Sequence, residues 1–158
     1  MANLQSSQRP VINDRFESSV RGIYVIGDLA GAPVVKIAME QGYAVARTIA
    51  ARVRNTRKTG GYDVIIAGAG AAGLNAALEA QGLGLQVLVL EKGQIANTIN
   101  DFPEGKWIYA EPESVPAKGK LWFEAASKED LIGRWREAIQ ENRLEVKADE
   151  GLEAIEKN

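Results

Sequence analysis

A six-residue turn rich in glycine, Gly68–Gly73, constrains the fold of this chain more than any other feature. It follows an apolar run at 63–67 and opens an alanine-rich segment at 71–81, which predicts a strand, a tight turn and a helix. A second apolar run at 85–90 ends at Glu91. The segment therefore predicts a βαβ unit with parallel strands.

The three glycines of this turn have the spacing of a dinucleotide-binding fingerprint. Gly68 permits the tight turn, Gly70 lets the backbone approach a pyrophosphate, and Gly73 allows close packing of helix on strand. The helix N-terminus, at Ala71 and Ala72, offers N–H donors and roughly half a positive charge to the phosphates. A turn that serves packing alone is the weaker interpretation, because strand, helix, second strand and acid all follow in the required order.

Glu91 lies where the second strand of the unit ends. A carboxylate at this position can accept hydrogen bonds from both ribose hydroxyls of a bound nucleotide. It also repels a 2′-phosphate, so the turn is predicted to bind FAD or NAD and not NADP.

A second motif, Gly22–Asp28, precedes the fingerprint and consists of an apolar run that ends in Gly-Asp. The apolar residues at 23–26 predict a short buried parallel strand. A proline at the first turn and apolar residues at helical spacing predict a helix at about 33–53. The polar segment 55–61 ends in two glycines and is predicted to be a linker.

This second motif resembles the FAD-binding motif near the C-terminus of thioredoxin-reductase-like flavoproteins. The resemblance implies that Asp28, after Gly27, holds the ribityl and pyrophosphate region of FAD. A simple helix cap is the alternative role for Asp28. The resemblance also places Ala32, Pro33 and Val34 near the isoalloxazine ring, where a positive helix end would stabilise negative charge on the reduced ring.

Residues 62–132 are similar to the N-terminal part of bacillithiol-disulfide-reductase-like proteins, through Glu91-Lys92-Gly93 and the segment 97–103. The resemblance implies that Lys92, Asn97 and Thr98 contact the cofactor, although an ordinary surface loop explains them equally well. Some members of that group carry a cysteine in the glycine turn, where this chain has Ala72. Thiol chemistry at that position is therefore excluded.

The two motifs stand in the reverse of the order found in the family. We expect a C-terminal-type FAD motif at 1–54, the linker 55–61 and an N-terminal-type FAD-binding βαβ unit at 62–158, either as separate units or as one composite domain. The fold class is then α/β: a three-layer Rossmann-like FAD-binding domain with a mostly parallel sheet, permuted or incomplete. The family's second nucleotide domain and Cys-x-x-Cys pair are missing. We therefore expect a fragment, a homo-oligomer or a subunit of a larger flavoprotein.

The composition removes several classes of chemistry. With no cysteine and no histidine, thiolate catalysis, imidazole base catalysis and most zinc or iron sites are excluded, and we assign no catalytic residue and no metal ligand. The net charge of −2 argues against nucleic acid, and the basic run at 47–58 is interpreted as a solvated helix end with linker. No apolar run approaches a membrane span, so the expected location is the cytoplasm.

Two functions remain. The first is an FAD-binding module of an NAD(P)H-dependent flavoprotein oxidoreductase, with the NAD(P)H bound by another chain or domain. The alternative is a non-catalytic nucleotide-binding or assembly subunit. Trp107, Trp122 and Trp135 could stack on a flavin, but structural roles are favoured, because Trp135 lies on the apolar face of a helix predicted to run from Ser127 to about 141.

Overall fold

The structure, a computed structural model, describes residues 9–53 and 60–156 and has a mixed α/β fold around a parallel sheet. The sheet contains β1 (Val64–Ala67), β2 (Val87–Glu91) and β5 (Glu145–Ala148), in that order, and both neighbouring pairs are parallel. The α/β class and the parallel sheet are confirmed, as a partial Rossmann-like arrangement. The other elements are a 3₁₀ helix (Gly27–Ala30), α1 (Val35–Val53), α2 (Ala71–Gly82), α3 (Asn97–Asn100), β3 (Trp107–Ile108), β4 (Ala126–Ser127) and α4 (Lys128–Glu141).

The predicted βαβ unit is present as β1, α2 and β2. Val64 pairs with Val87 and the register continues to Ala67 opposite Leu90, so both strands end at the same edge of the sheet. The glycine turn connects the end of β1 to the start of α2 at that edge. The unit therefore places the fingerprint at the carboxyl ends of parallel strands, where open α/β sheets bind ligands.

The hydrophobic core lies between one face of the sheet and the helices. Val87 and Val89 are buried in this core together with α2, while Ile65, which alternates to the opposite face of β1, remains 58% exposed. The exposed face at Ile65 and Ala67 indicates that this part of the sheet is incomplete in the described chain. The largest fully buried side chains are Trp135, Met39, Leu74, Leu78, Leu131, Val89 and Asn75.

Helix α1 packs along α2, and this contact joins the two predicted segments of the chain. The crossing is close at Gly42, because a Cβ atom there would overlap the carbonyl oxygen of Ala72. Arg47 and Glu79 add an ion pair between the same helices at 3.0 Å. The segment before the linker therefore packs directly on the βαβ unit that follows it.

The predicted parallel strand at 23–26 does not form. The backbone of this segment pairs instead with the residues just before it: Val25 N donates to Phe16 O at 2.9 Å, and Tyr24 forms an antiparallel bridge with Glu17. A partner only a few residues away closes a short loop, which costs less chain entropy than pairing with a distant strand. The prediction of a parallel strand at 23–26 is wrong, because the run of apolar residues does not specify which segment supplies the hydrogen-bond partners.

Apolar residues at 144–146 and 152–155 predict two further short strands, and the second of these does not form. The strand predicted at 144–146 is present as β5, but the chain after it is irregular and exposed, with Leu152 47% and Ile155 61% accessible. Among the described residues no strand pairs with this short apolar run, so its backbone N–H and C=O groups do not join a sheet. The polar start at 1–8 and most of the predicted linker, at 55–59, lie outside the described residues.

Residues 93–126 have only weak apolar periodicity and are predicted to form loops. The segment contains α3 and β3, reaches the start of β4, and is anchored by aromatic residues. Trp135 is fully buried, and its Nε1 donates a hydrogen bond to Trp122 O at 2.7 Å. The guanidinium of Arg134 lies 4.5 Å from the centre of the Trp122 ring. Trp122 and Trp135 therefore have structural roles, whereas Trp107 is 48% exposed.

Ser127 is of the residue type that caps helices and is followed by acidic residues, which predicts a cap. It caps α4 and accepts a hydrogen bond from Asp130 N at 3.1 Å. Replacing it with alanine leaves that donor without its partner, so Ser127→Ala is expected to reduce the free energy of unfolding by about 1 kcal/mol. Urea unfolding measures the loss. Ser114→Ala, at an exposed loop position, is the matched control and should change stability little; an equal loss in both variants would contradict the capping role.

Glu17 forms an ion pair with Arg52, with Oε1 to Nη1 at 2.6 Å and Oε2 to Nη2 at 2.9 Å. The hydrogen bond from Arg52, followed by the N–H of Gly22, lowers the pKa of Glu17 from 4.5 to about 2. Because the folded-state pKa is depressed, the pair stabilises the fold above pH 4.5 and is lost as the pH falls towards 2.

Glu17→Gln is therefore expected to lower the urea midpoint at pH 6, and the difference from the wild type should shrink as the pH falls between about 4.5 and 2. Urea unfolding at a series of pH values measures this. Glu153→Gln, at an exposed carboxylate near the end of the described chain, serves as the control. A difference that stays constant over this range would show that the pair does not act through its charge.

Candidate functional site

The glycine turn has the geometry that a phosphate-binding turn requires. Gly68 adopts φ +106°, a conformation that favours glycine, and its N–H donates to Leu90 O at 2.7 Å. A Cβ atom at Gly73 would overlap the carbonyl oxygen of Gly68, so only glycine allows α2 to start so close to the turn. At Gly70, by contrast, no atom lies within 4 Å of a Cβ position, which leaves open space before the N-terminus of α2.

Glu91 fastens the end of β2 to this turn. Its side chain is buried, with Oε2 accepting a hydrogen bond from Ala69 N at 2.7 Å and Oε1 accepting one from Gly93 N at 2.8 Å. An ionised carboxylate has about four acceptor sites, so each oxygen retains capacity for a further donor. Glu91 is thus fixed beside the turn and can still accept hydrogen bonds from a ligand.

The segment after β2 returns to the glycine turn. Ala96 N donates to Ala69 O at 2.9 Å, and Asn97 and Thr98, which follow it, are exposed at the start of α3. The Asn97 side chain donates to Asp101 Oδ2 at 3.1 Å. Lys92, next to Glu91, is exposed. Lys92 therefore follows a residue that is bonded to the turn, and Asn97 and Thr98 follow Ala96, which is also bonded to it, but no contact of these three side chains distinguishes them from an ordinary surface loop.

The Gly-Asp motif forms a 3₁₀ turn followed by the start of α1. Gly27 is buried at φ +75°, and its N–H donates to Oε1 of Gln41 at 2.8 Å. Gly31 N donates to the backbone oxygen of Asp28 at 2.9 Å, which closes the turn and leaves the Asp28 side chain exposed. The Asp28 carboxylate is therefore available to a ligand at the surface of the turn.

The structure brings these two turns together. A Cβ atom at Gly27 would lie 3.2 Å from Cβ of Ala72, in the first turn of α2. Ala32 and Ala38 pack with Ala72 in one buried cluster, while Pro33 and Val34 remain exposed at the start of α1. The Gly-Asp motif and the fingerprint thus meet within one chain despite their reversed order.

Sequence reasoning missed three residues that build this junction. Gly42 permits the close crossing of α1 and α2, Gln41 holds Gly27, and Lys36 is a buried lysine in the first turn of α1. The sequence offers one signal for Gly42: it is a glycine inside a predicted helix. Glycine at such a position weakens the helix and usually has a packing or functional reason. Gln41 and Lys36 gave no comparable signal, because helical glutamine and lysine usually face solvent.

The residues present fit an extended dinucleotide. Space above Gly70, N–H groups at the start of α2 and the fixed carboxylate of Glu91 match the pyrophosphate and the adenosine ribose. The described residues 9–53 and 60–156 contain no cluster of three or more acidic residues that could hold a metal ion. Over the same ranges, no helix is long and apolar enough to cross a membrane.

Part of the chain is similar to known proteins. Residues 65–158 match the family model "Pyridine nucleotide-disulphide oxidoreductase". Bacillithiol disulfide reductase Bdr (YpdA) from Bacillus cereus is 29% identical with a TM-score of 0.50, over 60% of this chain and 30% of that protein. The Staphylococcus aureus Bdr is 25% identical with a TM-score of 0.44, over 54% of this chain and 27% of that protein.

An oxidised steroid monooxygenase bound to NADP is 19% identical with a TM-score of 0.41, over 56% of this chain and 19% of that protein. No curated protein shows significant sequence similarity to the chain. The chain spans less than a third of each of these solved structures. Since the family model covers more than half of its residues, the chain belongs to the pyridine nucleotide-disulphide oxidoreductase family.

Proposed function

We propose that the chain is an FAD-binding module of an NAD(P)H-dependent flavoprotein oxidoreductase. The contact of Gly27 with Ala72 carries this proposal, because it brings the two FAD-type motifs side by side. FAD lies extended across the two turns in this proposal, with the adenosine ribose at Glu91 and the pyrophosphate at Gly68–Gly73. The ribityl chain then lies at Asp28.

The start of α1 receives the flavin end of the cofactor in this proposal, at Ala32, Pro33 and Val34. The helix is 19 residues long and has no acidic residue in its first turn, so its N-terminus presents an uncompensated partial positive charge. Such a charge favours negative charge on a reduced ring. Lys92, Asn97 and Thr98 are proposed to contact the adenosine side from the rim of the turn.

Turnover requires a reductant that binds elsewhere. The chain contains no cysteine or histidine, and we assign no catalytic residue; the bound flavin supplies the redox chemistry. Hydride comes from NAD(P)H held by another chain or another domain. The exposed sheet face at Ile65 and the small share of the Bacillus cereus reductase that is matched, 30%, support a module that works within a larger assembly.

FAD binding to the purified full chain tests the proposal. We expect bound flavin absorbance, or saturation at one FAD per chain when FAD is added to the colourless protein. AMP should compete for the site, while NADP should compete poorly because Glu91 repels its 2′-phosphate. A folded protein that ignores FAD at concentrations far above those of the protein would contradict the proposal.

A non-catalytic assembly subunit is the second candidate, favoured by the exposed apolar position at Ile65. The two functions differ in their response to reductant. In the oxidoreductase, the bound flavin bleaches when NADH or NADPH is added together with the missing chain or domain. An assembly subunit binds its partner without any change of flavin absorbance.

A further inference from the structure

Asn75 of α2 is a fully buried polar residue that holds the backbone of α1. Its amide nitrogen donates to the backbone oxygen of Met39, in α1, at 2.8 Å and to that of Lys118 at 2.7 Å. Its amide oxygen accepts a hydrogen bond from Leu121 N at 3.1 Å. Because two carbonyl groups need the donors and an N–H needs the acceptor, only one orientation of the amide satisfies all three partners. The side chain is therefore locked in place.

The other contacts of α1 with α2 do less to fix the position of α1 along α2. At Gly42 the contact is close, but it is made by a residue without a side chain. The ion pair of Arg47 with Glu79 lies further along the helices, and the arginine side chain is 53% exposed. Exposed ion pairs contribute little to stability. The buried hydrogen bond from Asn75 to Met39 is directional, so it fixes the register of the two helices.

A closed series of contacts connects Asn75 to the Gly-Asp turn. Two residues after Met39 in α1, Oε1 of Gln41 accepts a hydrogen bond from Gly27 N at 2.8 Å. A Cβ atom at Gly27 would lie 3.2 Å from Cβ of Ala72. Ala72 belongs to the same helix as Asn75 and precedes it by one turn. The place of the Gly-Asp turn beside the start of α2 therefore depends on where Asn75 holds α1.

We propose that Asn75 is a positioning residue for the cofactor, which keeps the flavin half of the site in register with the adenosine half. This inference rests on the FAD-binding function proposed above. FAD joins two ligands through a pyrophosphate, so once one half is bound, the other binds at an effective concentration that depends on the distance between the two subsites. A shift of α1 along α2 changes the distance from Asp28 to Glu91 but leaves each subsite intact.

The test compares the affinities of AMP, FMN and FAD for the wild type and for Asn75→Ala, each titrated separately into the full chain. We expect the affinity for FAD to fall about tenfold, while the affinities for AMP and for FMN stay close to their wild-type values. A residue that only stabilises the fold does not produce this difference between the joined and the separate ligands.

Leu131→Ala is the matched control for the loss of a buried side chain. Leu131 is as deeply buried as Asn75 but lies in α4. Its replacement should lower the free energy of unfolding by about 2–5 kcal/mol and leave the affinity of the folded protein for FAD unchanged. The control therefore separates a general loss of stability from a loss of register.

Gln41→Ala interrupts the same series of contacts at a half-buried position of α1. It should weaken FAD binding in the same selective way. The variant that combines Gln41→Ala with Asn75→Ala should bind FAD about as Asn75→Ala does, because residues that act through one contact are not additive. Additive losses in the double variant would contradict the connection between the two residues.

Wild-type affinity for FAD in folded Asn75→Ala would overturn the proposal. So would an affinity for AMP that falls as much as that for FAD, since the adenosine subsite itself would then be disturbed. If Asn75→Ala does not fold, Asn75→Ser gives the same comparison, because its hydroxyl can donate to only one of the two carbonyl groups. Failure of the FAD-binding function is distinct, because the wild type itself would then bind no FAD.

Discussion

Replacing Gly42 with alanine is expected to destabilise the protein by about 1–3 kcal/mol and to weaken FAD binding. A Cβ atom at this position overlaps the carbonyl oxygen of Ala72, and a backbone atom in a helix cannot move aside as a flexible side chain can. Helix α1 must therefore shift away from α2. Because Gly27 packs on Ala72 just beside this crossing, the two FAD motifs separate as the helices do.

Gly133→Ala is the matched control for this experiment. Gly133 also lies inside a helix, α4, but no atom lies within 4 Å of its Cβ position. There the better helix propensity of alanine should stabilise the protein, by up to about 1 kcal/mol. Urea unfolding and FAD titration of both variants should therefore give opposite signs for stability. Equal stability of Gly42→Ala and the wild type would contradict the close crossing.

Replacing Glu91 with glutamine is expected to weaken FAD binding by about tenfold to a hundredfold, since a hydrogen bond to a charged group contributes about 1.5–3 kcal/mol. Both carboxylate oxygens accept backbone N–H groups, from Ala69 and Gly93. A glutamine amide offers one oxygen and points donors at the other N–H. The variant therefore loses a ribose acceptor and disturbs the turn that holds the pyrophosphate.

Equilibrium FAD titration, followed by flavin fluorescence, measures the effect of Glu91→Gln. Glu137→Gln removes a carboxylate from the exposed surface of α4 and should bind FAD as the wild type does. Adding NADP to the Glu91→Gln variant gives a second readout, because the repulsion of a 2′-phosphate is lost with the charge. Unchanged FAD affinity in Glu91→Gln would remove this residue from the site.

The βαβ unit could be predicted from sequence because its signals are local. The glycine turn, the apolar runs on both sides and the acid at the end of β2 each report on neighbours within a few residues. The same holds for α1 and for α4 with its Ser127 cap. These elements form where the sequence pattern indicates, with boundaries shifted by one or two residues.

Contacts between distant segments could not be predicted from the sequence in the same way. Gly42 looks like a weak point of α1 until α2 is placed against it, and Gln41 gains its role only through Gly27. The strand predicted at 23–26 failed for a related reason, since the pattern of apolar residues does not specify which segment supplies the hydrogen-bond partner. The structure and role of these residues depend on the segment that packs against them and not on the local sequence pattern.

The contact between the two motifs also shows that their reversed order in the sequence still allows them to lie side by side. Helix α1 crosses α2 at Gly42 near Ala72, and Arg47 pairs with Glu79 further along, so the far end of α1 points away from the edge at which β1 and β2 end. The permuted order of the two motifs is compatible with one shared site, because the contact of Gly27 with Ala72 does not depend on which segment comes first.

Competition by the two halves of FAD tests most directly whether the two turns form one cofactor site. We expect the full chain to bind FAD at one site, with AMP competing at the Glu91 end and FMN at the Asp28 end. Asp28→Ala should weaken competition by FMN and leave that by AMP, whereas Glu91→Gln should do the reverse. Absence of FAD binding by the folded chain, or variants that leave both competitors unaffected, would contradict a cofactor site built from these two turns.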